Sequence, residues 1–187
     1  MFIASNKKKE NIAEYVLYMW QIEDIIRSMD FDMEKIEKNV ISQFQLDDEK
    51  RKSLREWYES LIDMMLKTGK REKGHLQMID NTVEEVNSLH KALLMAQKYP
   101  DYTSTFYKVL PLIAELRTKE GYEASDVNTL ESCDVNVALS FMYGVLMLRL
   151  KGQNITEETE KAQKDISRML ALLSKYYNEY KKEELDL

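Results

Sequence analysis

The sequence is poor in the residues that make tight turns, with five glycines and two prolines among its 187 residues. Sandwiches and barrels need a turn after every short strand, and glycine and proline supply many of the backbone conformations that such turns require. Their scarcity argues against an all-β protein. It favours long helices joined by few connections.

Cysteine is also scarce, and the 33 acidic residues outnumber the 27 lysines and arginines. Cys133 is the single cysteine, so an internal disulfide is excluded, and no second cysteine or histidine stands at metal-ligand spacing from it. We therefore expect a reduced, cytoplasmic setting. The formal net charge is -6 with mixed signs along the chain, which argues against nucleic acid or an anionic membrane surface as the main partner.

Long hydrophobic runs are missing as well. The most apolar window, Phe141 to Leu150, is far shorter than the roughly 20 residues that span a bilayer. The apolar run Tyr15 to Trp20 is too short for the hydrophobic region of a signal peptide and follows Glu14 directly. We expect neither membrane insertion nor export.

Apolar residues recur at intervals of three and four along nearly the whole chain, which is the period of an amphipathic helix. We predict an all-α protein, a single antiparallel bundle of six or seven helices in one domain over residues 1–187, frayed from about residue 183. Asp32 and Thr156 are expected to cap helices. Gly69 and Gly74 are expected to bracket a break, and Pro100 to end a helix.

Two predicted helices are apolar on almost every side. The first predicted helix runs from about residue 11 to Met29, after a solvated Lys7-Lys8-Lys9 end. The sixth begins at Asn128 or Asp134 and ends at Lys151-Gly152. Because a helix that is apolar all round is normally surrounded by others, we expect the first and sixth predicted helices to be central.

The first predicted helix carries charges inside this apolar surface. At 100 degrees per residue, Glu23 falls within the core stripe, and Arg27 follows one turn later in the favourable order for an ion pair. The favoured interpretation is a structural pair. The alternative is that Glu23, with Asp24, is a desolvated acid, base or ligand. Arg149 of the sixth predicted helix is a candidate partner for either carboxylate. Tyr18 is a further candidate member of this polar cluster.

Three further residues are weaker candidates. Glu72 and His75 have the Glu-x-x-His spacing of di-iron carboxylate bundles, but such a site needs a second copy and two more glutamates, so coincidence is the better account. His90 occupies a core-stripe position, where a lone histidine is usually a packed, hydrogen-bonded residue. Serine-nucleophile, phosphate-loop and paired-cysteine motifs are absent. We predict no metal and no cofactor.

Two blocks of the sequence carry a resemblance to a known family. They are Phe2-Ile3-Ala4 with Lys9 to Tyr15 and Leu17 to Asp24, and then Phe141 to Leu148. They resemble a family of small proteins of unknown function found in Bacteroidales gut bacteria. The resemblance implies a bacterial, cytosolic, helical protein and transfers no activity and no catalytic residues.

The sequence thus favours a non-enzymatic protein that acts by binding, either as a homodimer or with a protein partner. The alternative is a small-ligand or metal-dependent enzyme with a pocket between the first and sixth predicted helices. Its residues would be Glu23, Asp24, Tyr18, Arg149 and His90.

Overall fold

The computed structural model describes residues 2–122 and 129–187, and over these ranges the protein is all-helical, without strands. The predicted fold class, all-α, is therefore confirmed, whereas the described residues form eight α-helices instead of the six or seven predicted. The described elements are α1 (Phe2–Glu10), α2 (Ile12–Ser28), α3 (Met33–Asn39), a 3₁₀ turn (Ile41–Gln43), α4 (Asp48–Lys67), α5 (Gln77–Ala96), α6 (Pro100–Lys119), α7 (Asp134–Leu150) and α8 (Glu157–Lys181). The first and sixth predicted helices correspond to α2 and α7.

Side-chain caps define several helix starts. The Asp32 carboxylate accepts from the backbone N–H groups of Glu34 and Lys35, and the Thr156 hydroxyl accepts from that of Thr159. Both predicted caps are confirmed. Each satisfies an N–H group that has no partner within its own helix.

Helix α1 corrects the prediction at the N-terminus. Lys7, Lys8 and Lys9 form the last turn of this helix, where positive charge is favourable against the helix dipole. Lys8 and Lys9 are exposed, so this end is solvated as expected but is helical. The Asn11 N–H donates to the Lys7 carbonyl, which closes α1, and the Asn11 side chain caps α2 by accepting from the Glu14 N–H. A single residue therefore separates the two helices.

The connections fall near the predicted turn residues. Gly69 and Gly74 both have positive φ, so the expected break between α4 and α5 is confirmed. Helix α5 ends at Ala96, where Gln97 adopts the left-handed conformation, and Pro100 begins α6 instead of ending α5. Proline suits the first helical turn because the N–H it lacks would be unpaired there.

Helix α8 runs along much of the molecule and packs against α1, α2, α5, α6 and α7. Helix α2 also contacts α1, α5 and α7. The largest helices each contribute fully buried side chains to one core, among them Ile26, Ile79, Ile113, Val137 and Ile166. Burial of these aliphatic side chains supplies the main driving force for packing the helices together.

Helix α7 departs from the expectation that it is enclosed along its length. It begins at Asp134, one of the two predicted starts, whereas Asn128 lies outside the described residues. Its N-terminal half is buried, but Leu148 and Leu150 are 38% and 66% exposed. A Cβ added at Gly144 would meet nothing within 4 Å. The neighbouring helices therefore leave the C-terminal half of α7 partly open.

Two smaller features complete the description. Phe44, which follows the 3₁₀ turn, is exposed. At the C-terminus, where fraying was expected, Asp186 pairs with Lys98 at 2.6 Å and its carbonyl accepts from the Tyr99 hydroxyl at 2.8 Å. Among the described helices, none combines the length and the apolarity that crossing a membrane requires.

Candidate functional site

The candidate site is built where α2 meets the connector between α4 and α5. Glu23 of α2 is completely buried. Its Oε1 accepts from the backbone N–H of Leu76 at 2.8 Å, and its Oε2 lies 2.6 Å from Nδ1 of His75. Both carboxylate oxygens are therefore engaged, which is how a buried charge avoids the cost of lost hydration.

The His75 ring is fixed on two sides. It stacks on Trp20, with ring centroids 4.5 Å apart and an interplanar angle of 15°. An ionised carboxylate can only accept, so Nδ1 carries the proton shared with Glu23. In the neutral ring this leaves Nε2 as an acceptor. The side chain is 33% exposed, and no hydrogen bond to Nε2 occurs within the described part of the chain.

A second carboxylate ties α2 to α7. The Tyr143 hydroxyl donates to Asp24 Oδ2 at 2.6 Å, and Arg27 Nη1 donates to Asp24 Oδ1 at 2.9 Å. Burial, followed by the Asp24 carboxylate, raises the pKa of the Tyr143 hydroxyl above its usual value, so this group is a hydrogen-bond donor at neutral pH. Arg27 Nη2 also donates to the carbonyls of Lys70 and Gly74. The connector is thus held by both Glu23 and Arg27.

A cleft of about 450 Å³ opens beside His75. Acidic and neutral polar groups predominate on its walls, and burial raises the pKa of the Asp80 carboxyl. Its lining residues are Lys70, Gly74, His75, Asp80, Glu120, Tyr122, Leu130, Glu131, Asn136 and Ser140. Nε2 of His75 could accept a proton or a hydrogen bond from a molecule bound here. Over residues 2–122 and 129–187, no group of three or more histidine, cysteine or acidic side chains could hold a metal ion.

The ion pair predicted between Glu23 and Arg27 of the first predicted helix is wrong. Arg27 pairs with Asp24, three residues earlier, and Glu23 pairs with His75 of the connector. Arg27 donates to Asp24 and to the connector carbonyls of Lys70 and Gly74. The sequence identified the charged groups of this cluster and missed that the connector completes it.

The proposed bridge from Arg149 to Glu23 or Asp24 is also wrong. Arg149 is exposed near the end of α7, and its guanidinium donates to Gln163 of α8 at 2.7 Å. The ion pairs among the described residues include none between Arg149 and either carboxylate. Tyr143, six residues earlier on α7, makes the link to Asp24 instead.

Tyr18 and Glu72 lie apart from the cluster. Tyr18 lines an apolar groove with residues of α1, α4 and the segment that follows the 3₁₀ turn. Glu72 is exposed in the connector, outside any helix, so it shares no helix face with His75 as a Glu-x-x-His ligand pair must.

His90 belongs to a second, separate polar network. Its Nδ1 lies 2.6 Å from the Tyr102 hydroxyl, and its Nε2 lies 3.4 Å from the Asp134 carboxylate. Arg117 donates to the same carboxylate and, at 2.8 Å, to the carbonyl of Ser132. This network joins α5 and α6 to the start of α7. The histidine is buried and both of its ring nitrogens have partners.

Several residues of these clusters were missed from the sequence. Trp20 and Tyr143 were assigned only to apolar core runs, although a buried tyrosine hydroxyl normally requires a partner. Asp134 was considered only as a helix start, and Arg117 was not singled out. A polar side-chain group on an apolar helix face indicates that the residue needs a hydrogen-bond partner. It does not indicate which residue that partner is.

Comparison with known proteins gives one match. A family model described as "Domain of unknown function (DUF4924)" covers residues 1–184. No curated protein and no solved structure matches the chain.

Proposed function

This chain belongs to the DUF4924 family of proteins with unknown function, and we propose that it is a non-enzymatic protein that acts by binding to a second protein molecule, in the first instance another copy of itself. The cytoplasmic setting argued from the single cysteine is part of this proposal.

The observation that carries the proposal is the open C-terminal half of α7. Phe141, Gly144, Met147 and Leu148 fall within an arc of roughly 120° at 100° per residue, and we call this set the open α7 face. Gly144 and Leu148 are exposed, while Phe141 and Met147 are half-buried. The absence of a side chain at Gly144 lets a second backbone approach closely. Exposed apolar surface of this kind is typical of protein contacts.

The hydrogen bonds of Glu23 and Asp24 support a non-enzymatic role. Each oxygen of Glu23 and of Asp24 already has a partner inside the fold, so neither carboxylate is left to act on a substrate. Glu23 accepts from the Leu76 N–H and Arg27 donates to the carbonyls of Lys70 and Gly74, so both hold the backbone of the connector. The bundle that we propose is single and antiparallel, with α2 central and with α7 central only along its buried N-terminal half.

One observation favours the rival function, a small-ligand enzyme. His75 is held through Nδ1 by a buried carboxylate and lies on the wall of an open cleft, the arrangement in which a carboxylate orients an imidazole base. The pocket would then lie between the connector, α5 and α7, and not between α2 and α7. Thermal-shift screening of small molecules, with elemental analysis of the purified protein, tests this candidate. Finding neither a metal nor a stabilising ligand would remove it.

Light scattering during size-exclusion chromatography tests the binding proposal. We expect a mass of twice the 22.1 kDa of one chain. Leu148→Glu should shift the protein to monomer, because it places a charge in the contact. Leu66→Glu, at an exposed leucine of α4, is the matched control and should leave the mass unchanged. A monomeric unmodified chain, or a dimer that persists in Leu148→Glu, would contradict self-association through this face.

A further inference from the structure

Helix α8 is flanked by two surface clefts that share Arg168 and Ala171. The larger, of about 580 Å³, lies between α6 and α8, and the other, of about 470 Å³, lies between α8 and the end of α7. Their basic residues are Lys108, Arg149, Lys164, Arg168 and Lys175, and we call this set the α8 basic surface.

Positive charge predominates here although the chain as a whole is acidic. Five basic side chains line the two clefts against two acidic ones, Asp101 and Asp165. The Asp101 carboxylate already accepts from the Tyr176 hydroxyl, at 2.7 Å and 2.9 Å from its two oxygens. Lys175 pairs with Glu179 at 3.7 Å. The other four basic side chains, Lys108, Arg149, Lys164 and Arg168, still outnumber the acidic side chains of the two clefts, which favours an anionic partner here.

Arg168 stands out from the other arginines. Within the described part of the chain, every other arginine has an acidic, amide or aromatic partner, and Arg168 has none, although Asp165 lies three residues before it on α8. The partnered arginines are Arg27, Arg51, Arg55, Arg71, Arg117 and Arg149. A guanidinium presents a planar fork of donors that suits a carboxylate, so Arg168 has unused capacity to bind an anion.

The floor of the larger cleft is apolar. Val109 is buried, Leu172 is half-buried, and the small side chain of Ala171 leaves space between the charged residues. From Asp165 to Lys175, α8 rises about 15 Å, which is enough to contact several residues of a bound peptide. None of the described lining residues is aromatic, whereas single-stranded nucleic acid is usually held by stacking on aromatic rings.

We propose that the α8 basic surface binds an acidic segment of a partner protein. Carboxylates of that segment pair with Arg168, Lys108 and Lys164, and its apolar side chains contact Ala171 and Leu172. This inference rests on the proposed function, that the chain acts by binding protein. It adds a second binding surface, distinct from the open α7 face, and specifies that the segment bound there is acidic.

Fluorescence anisotropy with a labelled ten-residue peptide of glutamate and leucine, mixed two to one, tests this proposal on the full chain. We expect saturable binding that weakens as salt rises from about 50 to 200 mM, because salt screens exposed charges. The same peptide with glutamine in place of glutamate should not bind. Lys108→Gln/Arg168→Gln should weaken binding about tenfold or more, as expected from the loss of two charge-assisted contacts.

Lys38→Gln/Lys91→Gln is the matched control, since both lysines are exposed on helices and the same two charges are removed. It should bind the peptide as the unmodified chain does. Absence of binding, equal weakening in both double variants, or binding of a ten-nucleotide single strand in preference to the peptide would overturn the proposal. None of these outcomes alters the mass that light scattering reports, so a failure here is distinguishable from a failure of self-association through α7.

Discussion

Oε2 of Glu23 lies 2.6 Å from Nδ1 of His75, although the two residues are 52 positions apart in the chain. The contact joins a completely buried carboxylate of α2 to the connector between α4 and α5. The same carboxylate accepts from the Leu76 N–H, so it fixes both the imidazole and the backbone that precedes α5.

Glu23→Gln should destabilise the protein, because it removes the charge from two hydrogen bonds in a place that water cannot reach. We expect the free energy of unfolding to fall by about 2 kcal/mol. In a chain of this size the melting temperature would drop by roughly 4 to 8 °C. Urea and thermal unfolding followed by circular dichroism measure both quantities.

Glu14→Gln is the matched control on the same helix. Glu14 is exposed and pairs with Lys7 at 2.8 Å. Exposed pairs contribute little, so the change should be within about 0.5 kcal/mol. Equal losses in the two variants would contradict the role assigned to Glu23.

Arg149 and Arg117 should differ sharply when each is replaced by alanine. Arg149 is exposed and donates to Gln163, so Arg149→Ala should change stability by less than about 0.5 kcal/mol. Arg117 is buried, and its loss removes the hydrogen bonds that it donates to the Asp134 carboxylate and the Ser132 carbonyl. Arg117→Ala should cost about 3 kcal/mol. The midpoints of urea unfolding compare the stabilities of the two variants. A large loss of stability in Arg149→Ala would instead support an ion pair from Arg149 to Glu23 or Asp24.

Acid should weaken the network around Asp134. Burial alone would raise the pKa of the Asp134 carboxyl, but hydrogen bonds from His90 and Arg117 outweigh it and hold that pKa below the usual value. A lowered folded-state pKa means that the stabilisation is complete above the unfolded value of about 3.9 and is lost as the pH falls through the folded value.

We therefore expect the free energy of unfolding to decline below about pH 4 in the unmodified chain, and to decline less steeply in Asp134→Asn. Urea titrations at a series of pH values measure both slopes. Asp63→Asn, at an exposed residue of α4, should keep the steeper slope. An unchanged slope in Asp134→Asn would argue against this linkage.

Cys133 provides a probe of opening at the start of α7. The thiol is buried, and burial raises its pKa, so both access and thiolate formation are suppressed. We expect a disulfide reagent at pH 8 to label the native chain on the order of 100-fold more slowly than the urea-unfolded chain. Native labelling as fast as that of the unfolded chain would show that this region opens freely.

Local features were predictable from the sequence, because their causes lie within one helical turn. The caps at Asp32 and Thr156 and the glycine-bracketed break after α4 depend on neighbouring residues. The burial of Glu23 also followed from its angular position on α2. Its partner did not, since His75 reaches it only after α4 and α5 have packed.

Other errors had the same origin in tertiary packing. The sequence of α7 is apolar on every side, but it does not show how far the neighbouring helices extend along it. The exposure of Leu148 was therefore not predicted. The segment of α1 has only a weak apolar stripe, so its three lysines suggested a loose end. Arg149 was placed beside the carboxylates because it is the charge in the apolar run, whereas Tyr143 makes that contact.

The most direct test of the central claim, that Glu23 and His75 act together to hold the connector, is a double-mutant cycle on the free energy of unfolding. Glu23→Gln removes the charge, and His75→Phe keeps a ring on Trp20 but removes the hydrogen bond. The contact predicts that the two losses are not additive, with a coupling energy of about 1 to 2 kcal/mol. Losses that add to within about 0.3 kcal/mol would contradict it.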